Sequence, residues 1–413
     1  MARTKKSPDY DVIVVGGGLA GLALTALLAN QNVHALCVDR DNPADQLKET
    51  FDGRTTAISY GSQKILAAAG VWDLLAPDAC PIKTIHILDS DSPVLLDFNS
   101  HEVNDRVFGW IIENRLLRQG LMKRVVQREY ATHLAPARIT DLSVTDSYAA
   151  VHIGDDVYKA PLLIGADGKN SFTRDWMGID TRDWSYHQRA VVCAVTHEHP
   201  HNNIAVEHFR AEGPFAILPM LDMKDGTHRS SLVWTEHGAD KDSALHYSQE
   251  SFDAALNARF PSFYGKVRQI EKRYSFPLGL THAHQYIAPR MALVAEAAHA
   301  IHPIAGQGLN LGYRDIAALA DLVIEAVKNG DDPGSDALLQ RYQRQRRFDN
   351  MAMAGTTDVL NRLFSNHSVV ARAARKTGLK IVSRLPFAKQ FFMNQAMGAA
   401  GLLPALIADD KAA

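Results

Sequence analysis

Cysteine is scarce in this 413-residue chain: Cys37, Cys80 and Cys193 are the only three, and no two of them form a CxxC pair. That scarcity excludes a disulfide framework and a thiolate metal site, and points to reduced core thiols in a cytoplasmic setting. Charge of one sign is missing as well, since 44 basic and 46 acidic side chains leave a formal net charge of −2. Such a balance gives no reason to expect nucleic acid or an anionic membrane as partner, and Arg3, Lys5 and Lys6 read as a solvated tail. Long hydrophobic runs are absent too. The apolar stretch from Val12 to Leu28 is split by glycines, so no signal peptide or spanning segment is expected. There is no internal repeat and no low-complexity linker. What the chain does have is 46% hydrophobic residues, enough for a large core divided into roughly two or three domains.

Histidines alternate at His197, His199 and His201 in THEHPHNN, a spacing that can put imidazoles on one side of an extended chain. Pro200 and the following Asn202 and Asn203 mark a turn instead, and no carboxylate or cysteine constellation supports them. No metal ligand is expected.

Glycine is placed with more purpose. Asp11 to Val15 is an apolar, β-branched run followed by Gly16-Gly17-Gly18-Leu19-Ala20-Gly21 and a helical stretch through Asn30. This is strand, G-x-G-x-x-G, helix: Gly16 permits the tight turn, Gly18 lets backbone approach a pyrophosphate, and Gly21 lets helix pack on strand. A second strand, Val33 to Val38, ends in Asp39, with Arg40 next, where a carboxylate can accept both ribose hydroxyls. An acid there suits an adenosine with a free 2′-hydroxyl better than NADP. A third element, Leu162 to Gly168, is an apolar strand ending in Asp167, with Ser171 and Arg174 opening a helix.

Late in the chain, His302 to Asp315 reads HPIAGQGLNLGYRD. Gly306, Gln307 and Gly308 form a side-chain-poor bend before a helix from about Leu309, with Asn310 in its first turn. Backbone N–H groups and the positive helix end can there face an anionic or electron-rich ring, such as the N1–C2=O edge of a reduced flavin. By itself the bend is equally an ordinary helix cap.

Together the three elements resemble the FAD-dependent aromatic hydroxylases, flavoprotein monooxygenases typified by para-hydroxybenzoate hydroxylase. HPIAGQGLNLGYRD looks like the signature of the ubiquinone-biosynthesis hydroxylase branch. The resemblance implies an α/β fold: a Rossmann-like FAD-binding domain with an inserted β-sheet substrate domain and C-terminal helices. It implies that Gly16, Gly18 and Gly21 cradle the FAD pyrophosphate, with Asp39 and Arg40 at the adenosine ribose. Arg54, in DGRTTAIS, would neutralise phosphate charge and Asp167 would touch FAD. Pro303, Gly306, Gln307, Gly308, Leu309 and Asn310 would meet the isoalloxazine, while Asn114 and Arg115 occupy a region where relatives place another flavin contact. The chain departs from the family in one place: Ala295-Glu296 stands before Ala297-Ala298-His299 where Gly-Asp is usual. Glu296 can still accept a ribityl hydroxyl, but its extra methylene must be accommodated.

The implied reaction is hydroxylation of an aromatic ring through a flavin hydroperoxide, on a prenylated phenol of ubiquinone biosynthesis, with NAD(P)H or a ferredoxin-type protein as reductant. No proton acceptor is identifiable from the sequence; His299 and His302 lie near the flavin loop and read equally well as structural. Two other functions stay open: a flavin enzyme of similar fold acting on a soluble phenol or another substrate, and a non-catalytic scaffold in a biosynthetic complex. A halogenase is disfavoured because no W-x-W-x-I motif is present.

The cofactor domain is expected to be discontinuous, near residues 8–80, 105–180 and 275–345, with the substrate domain in 81–104 and 181–274 and a helical region in 346–413. Lys83 to Phe98 alternates like a hairpin, and Val191–Val195, Ala205–Phe209, Phe215–Met220 and Ser231–Thr235 read as sheet. Between Leu379 and Ile407 many apolar residues and few charges form either a helix packed on the domain beneath or a surface for a prenyl tail, a membrane interface or other ubiquinone-biosynthesis proteins.

Overall fold

Val12–Val15 is buried along its whole length and forms the centre of a six-stranded sheet. β-Branched side chains that bury on both faces suit a parallel strand covered from both sides. It pairs in parallel with Leu162–Gly165 and with Ala35–Val38. Met291–Leu293 and Ala131–Leu134 extend the parallel set outward, and Ile287–Ala288 closes one edge antiparallel. A computed structural model describes residues 9–47, 51, 53–89, 96–103, 105–210, 213–238, 240–301, 306–364 and 385–398.

The helix Leu19–Ala29 carries almost no polar face, and every residue after Leu19 is buried. A helix apolar all round belongs in the middle of a layer, and it lies against Asn114–Val126 and Gln307–Asn329. Leu22, Leu24, Leu27 and Leu28 are all inaccessible in this core; each contributes about 1.5–3 kcal/mol on burial. The opposite face of the sheet is covered by a three-stranded meander, Asp141–Val144, Ala149–Ile153 and Asp156–Ala160.

The second large sheet begins with Thr181–His197, a 17-residue strand bent by a register shift between Ser185 and Gln188. Tyr274–Ala283 and His228–His237 flank it, and Gly213–Pro219, Ile204–Arg210, Thr84–Asp89 and Leu96–Asn99 continue outward in that order. One face packs Val191, Cys193, Leu232 and Trp234 against the helix Gln249–Arg259 through Phe252 and Leu256. The other face turns toward the six-stranded sheet.

The expected hairpin is present as Thr84–Asp89 paired with Leu96–Asn99; its tip lies outside the described residues. One boundary differs. Tyr274–Ala283 falls within the segment 275–345 expected in the cofactor domain, yet it pairs along nearly its full length with Thr181–His197 and is part of the second sheet. Its alternation was readable, but its partner, far back in the chain, was not.

The THEHPHNN stretch makes a turn with Asn202 and Asn203 at φ 51° and 58°. His197 is tied to the His199 carbonyl at 2.7 Å and to Ser230 Oγ at 3.0 Å, and burial pushes it down to about 4. Among the described residues no cluster suits a metal ion. Cys37, Cys80 and Cys193 are buried free thiols. No described helix is long and apolar enough to cross a membrane. After Asp336 the chain is helical over Asp336–Phe364 and Pro386–Ala396; Leu379, Ile381, Val382 and Leu402 to Ile407 lie outside the described residues.

Candidate cofactor and active site

Four parallel strands end at one cavity. After Val15, Val38, Gly165 and Leu293 come Gly16, Asp39, Asp167 and Glu296, and all four line a space of about 1300 Å³. Ligands of open α/β sheets bind beyond the carboxyl ends of the strands. A single small-molecule site usually occupies roughly 300–1,000 Å³, so this one has room for a dinucleotide and an adjoining ring.

The glycines separate by what a side chain would meet. Gly16, at φ +105°, brings any Cβ within 2.6 Å of the Ala166 carbonyl oxygen, and a Cβ on Gly21 would stand 1.8 Å from the Gly16 oxygen. These two are packing requirements. Gly18 and Gly308 have nothing within 4 Å of that position and both face the cavity. Gly17, which the sequence reading passed over as an x position, would drive a Cβ to 2.4 Å from Asp39 Oδ2. The carboxylate of Asp39 accepts from the Asp41 backbone N–H and from Gln46 Nε2, each at 3.2 Å.

Three longer helices start bare around the cavity. Leu19–Ala29, Asn114–Val126 and Gln307–Asn329 all start without a side-chain cap. By contrast Ser59 and Ser248 cap helices that begin elsewhere, and Ser171 caps the short helix Phe172–Trp176, whose first residue lines the cavity. Free first-turn N–H groups beside a glycine are an anion site. Arg40, Arg54, Arg118, Arg138 and Lys169 line the same space among the acids Asp39, Asp41, Asp167 and Glu296. An open cradle at Gly18 and Gly308, three uncapped helix ends and a carboxylate after the second strand fit an extended anionic dinucleotide such as FAD.

Of the residues singled out from sequence, Gly16, Gly18, Asp39, Arg40, Arg54, Asn114, Asp167, Glu296, Gly308 and Leu309 line the cavity. Arg115 does not. Its Nε is 2.6 Å from Glu113 Oε2, while Arg229 binds the other oxygen, Oε1, at 3.1 Å. The residue one helical turn beyond Asn114 is Arg118, and that one does line the cavity. An i, i+4 spacing applied to Asn114 would have found it. Gln307 is buried, and Gly306 holds the left-handed turn at φ +62° that starts the helix. Asn310 is spent on backbone: it accepts from Ser59 N–H at 2.9 Å and donates to the Ala57 and Gly306 carbonyls at 2.8 and 2.9 Å. Its side chain clamps the helix to the strand Thr55–Ser59. Pro303 and His302 lie outside the described residues.

Asp167 sets the third strand end, since Ser171 Oγ donates to it at 2.5 Å and Thr173 N–H at 2.9 Å. The turn bearing Glu296 is held from behind. Asp315, fully buried, accepts from Ala295 N–H at 3.1 Å, His299 Nε2 at 2.5 Å, Arg346 Nε at 2.8 Å and Asn350 Nδ2 at 2.9 Å. Burial opposes its charge, but His299, Arg346 and the hydrogen bonds outweigh that and hold the carboxyl well below its ordinary range. Glu296 itself is exposed to the cavity.

On the far side the cavity is walled by the second sheet through Ala190, Val192, Ser231, Val233, Phe276 and Leu278. Arg54 lies over the Phe276 ring at 5.9 Å. A polar cradle thus opens on a mostly apolar wall.

Comparison with known proteins agrees with this geometry. The family described as FAD binding domain matches residues 9–356. The chain is 42% identical over 395 residues to a ubiquinone hydroxylase, UbiL, of Rhodospirillum rubrum, covering 95% of this chain and 91% of that protein. It is 32% identical over 391 residues to 3-demethoxyubiquinol 3-hydroxylase of Escherichia coli, covering 94% and 98%. The crystal structure of p-nitrophenol 4-monooxygenase PnpA from Pseudomonas putida superposes with a TM-score of 0.77 at 16% identity, covering 95% of this chain and 99% of that one, a likeness of fold. The chain belongs to the FAD binding domain family, as an FAD-dependent monooxygenase of the branch that contains the ubiquinone hydroxylases.

Proposed function

We propose that the protein hydroxylates the aromatic ring of a polyprenylated phenol on the way to ubiquinone. The observation that carries this reading is the continuity of cradle and wall: Gly308 and Leu309 open on the same cavity as Val192, Val233, Phe276 and Leu278. The substrate class comes from the relatives, a ubiquinone hydroxylase and a 3-demethoxyubiquinol 3-hydroxylase. In this reading the segments near 8–80, 105–180 and 284–345 form the cofactor domain and the second sheet the substrate domain.

Bound FAD, reduced by NAD(P)H or a ferredoxin-type protein, supplies the activation of O2 that delivers one oxygen atom to the ring and one to water. The chain holds and shields that chemistry. Gly16, Gly18 and the bare end of Leu19–Ala29 take the pyrophosphate, with Gly21 packing the helix close. Asp39, beside Arg40, accepts the ribose hydroxyls, Arg54 and Arg118 offset phosphate charge, and Glu296 accepts a ribityl hydroxyl. Asp167 and Asn114 contact the cofactor edge. The backbone at Gly306, Gln307, Gly308 and Leu309 faces the ring system, where its N–H dipoles favour negative charge. The apolar wall orients the phenol and excludes water.

For delivery of the prenyl tail we infer a peripheral membrane contact, at the cytoplasmic face, through Pro386–Ala396. Met393 and the following cap residue Met397 are buried, while Phe387 is 85% and the preceding cap residue Leu385 52% exposed. Flotation with anionic phospholipid vesicles tests it: Phe387→Ser should reduce the bound fraction, and an unchanged fraction refutes the contact.

The experiment for the main reading is incubation of FAD-loaded protein with prenylated and short-chain phenols under ¹⁸O2, with mass spectrometry of the product. One labelled atom in the ring is expected. Reductant consumption with hydrogen peroxide release and no product from any phenol would overturn it.

A further inference from the structure

Across one face of the second sheet Val192, Val233, Ala216, Glu207, Ile87 and Leu96 stand side by side in register. Residues directly opposite one another share a face, and in this row five of the six are apolar. Val192 and Val233 line the cavity. Strands lie about 4.8 Å apart, so Glu207 sits roughly 10 Å from Val233, with only the Ala216 methyl between them. Along its own strand it lies between Ala205 and Phe209, both buried. Phe98, Met220, Met393 and Met397 pack with Ala205 and Leu96 in one apolar cluster, with Ile87 against it.

Among the described residues the Glu207 side chain makes no hydrogen bond and no ion pair, yet the residue keeps some accessible surface. A carboxylate without a partner in apolar surroundings is costly. Burial pushes its carboxyl up to about 7, and no charged neighbour contributes. The titratable groups on and around the elements of this cluster are Cys80, Asp89, Tyr60, Arg106, Arg229 with Glu113, and the pair Lys389–Glu102. None of them is bonded to Glu207.

We propose that Glu207 is the catalytic residue that accepts the proton of the substrate's phenolic hydroxyl. This rests on the hydroxylase reading given above. The step is a proton transfer alone: the phenol O–H bond breaks, an O–H bond forms on Glu207, and the electron pair stays on the ring oxygen. The phenolate is the more nucleophilic ring, and the oxygen atom and electrons for hydroxylation come from the flavin chemistry and its reductant. A base whose carboxyl titrates near neutrality is well matched to that transfer. The apolar row then holds the ring while Glu207 marks where its hydroxyl points, so this one side chain favours phenols over unsubstituted rings.

The test uses the full chain loaded with FAD, as wild type, Glu207→Gln and Glu207→Asp, with phenol and a series of ring-fluorinated phenols of rising acidity. In wild type kcat should rise with pH around neutrality. Glu207→Gln should lose that limb and fall by about 10²-fold in kcat, with the FAD spectrum, FAD affinity and phenol KM within about threefold of wild type. Glu207→Asp should restore part of the limb. The Gln defect should shrink as the phenol becomes more acidic, because an already ionised substrate needs no base; a merely structural defect would be equal for every phenol. Wild-type kcat and pH dependence in Glu207→Gln, or a defect independent of phenol acidity, would overturn the assignment alone. A wild type that converts no phenol would overturn the hydroxylase reading with it.

Discussion

Gly312 lies so close to Ala295 that a Cβ added to it would stand 2.7 Å from the Ala295 methyl carbon. Ala295 has φ +54°, a left-handed conformation, and occupies the place where the resembled family usually has glycine. The methyl group is accommodated because Gly312 supplies no side chain opposite it. A left-handed alanine costs about 1–2 kcal/mol, while glycine loosens the unfolded chain by about 0.4–1 kcal/mol. Ala295→Gly is therefore expected to raise the urea midpoint slightly. Gly312→Ala should lower it and weaken FAD binding by displacing Glu296, and adding Ala295→Gly should recover part of both losses. Independent effects of the two changes would disprove the coupling.

Gly18 and Gly21 belong to one fingerprint but predict opposite phenotypes. A methyl at Gly18 or Gly308 meets nothing within 4 Å, whereas one at Gly21 meets backbone at 1.8 Å. Gly18→Ala and Gly308→Ala should leave the melting temperature of the FAD-free protein within about 2 °C, a shift of no more than roughly 1 kcal/mol, and raise the FAD dissociation constant tenfold or more. Gly21→Ala should fail to fold. Melting curves with and without FAD separate the two classes, and a folded Gly21→Ala that binds FAD normally would contradict the packing role.

What the sequence made legible was local. Gly16 to Gly21, Asp39, Asp167 and the bend before Leu309 announce themselves because strand, turn and helix follow within a few residues of each other. Gly17 escaped because the fingerprint treats it as free, although Asp39 folds back over it. Arg115 is adjacent to Asn114 in the chain, but on a helix it is Arg118, four residues on, that shares Asn114's side. Asp315 with Arg346 and Asn350, and Tyr274–Ala283 with Thr181–His197, join positions dozens of residues apart, and no periodicity encodes such partners. Asn310 was expected to meet the isoalloxazine, but its amide serves the Ala57 and Ser59 backbone, positions about 250 residues back.

Asp315 should be a stability residue felt at the cofactor site. Its carboxylate satisfies Ala295, His299, Arg346 and Asn350 at once. Removing one partner from such a buried group costs about 3–5 kcal/mol, so Asp315→Asn should lose about that much in urea unfolding and bind FAD more weakly. Because the folded carboxyl titrates below its ordinary value of 3.8, its stabilisation is complete above that pH and drains away as acid takes the pH lower. Wild type should therefore lose stability faster than Asp315→Asn as the pH falls from about 4 downward, the upper edge being the ordinary carboxylate value. Parallel acid curves would refute the linkage.

Glu207 predicts the opposite slope. Its carboxyl is raised from an ordinary 4.5 to about 7, so between those values the folded chain binds more protons than the unfolded one. Stability then falls as pH rises through this interval, because ionisation is easier once the chain is open to water. Glu207→Gln removes the ionisable group and keeps the shape. Its melting temperature should match wild type at pH 4.5, exceed it progressively above that, and hold a constant lead of at least about 2 °C beyond pH 7.5, the shift of roughly 1 kcal/mol. A lead that does not vary with pH would mean the carboxylate is hydrated or paired, which would also remove the reason to see it as a base. Stability gained and turnover lost in the same variant over the same pH interval is the pattern a strained catalytic group leaves, and a structural glutamate would lose both.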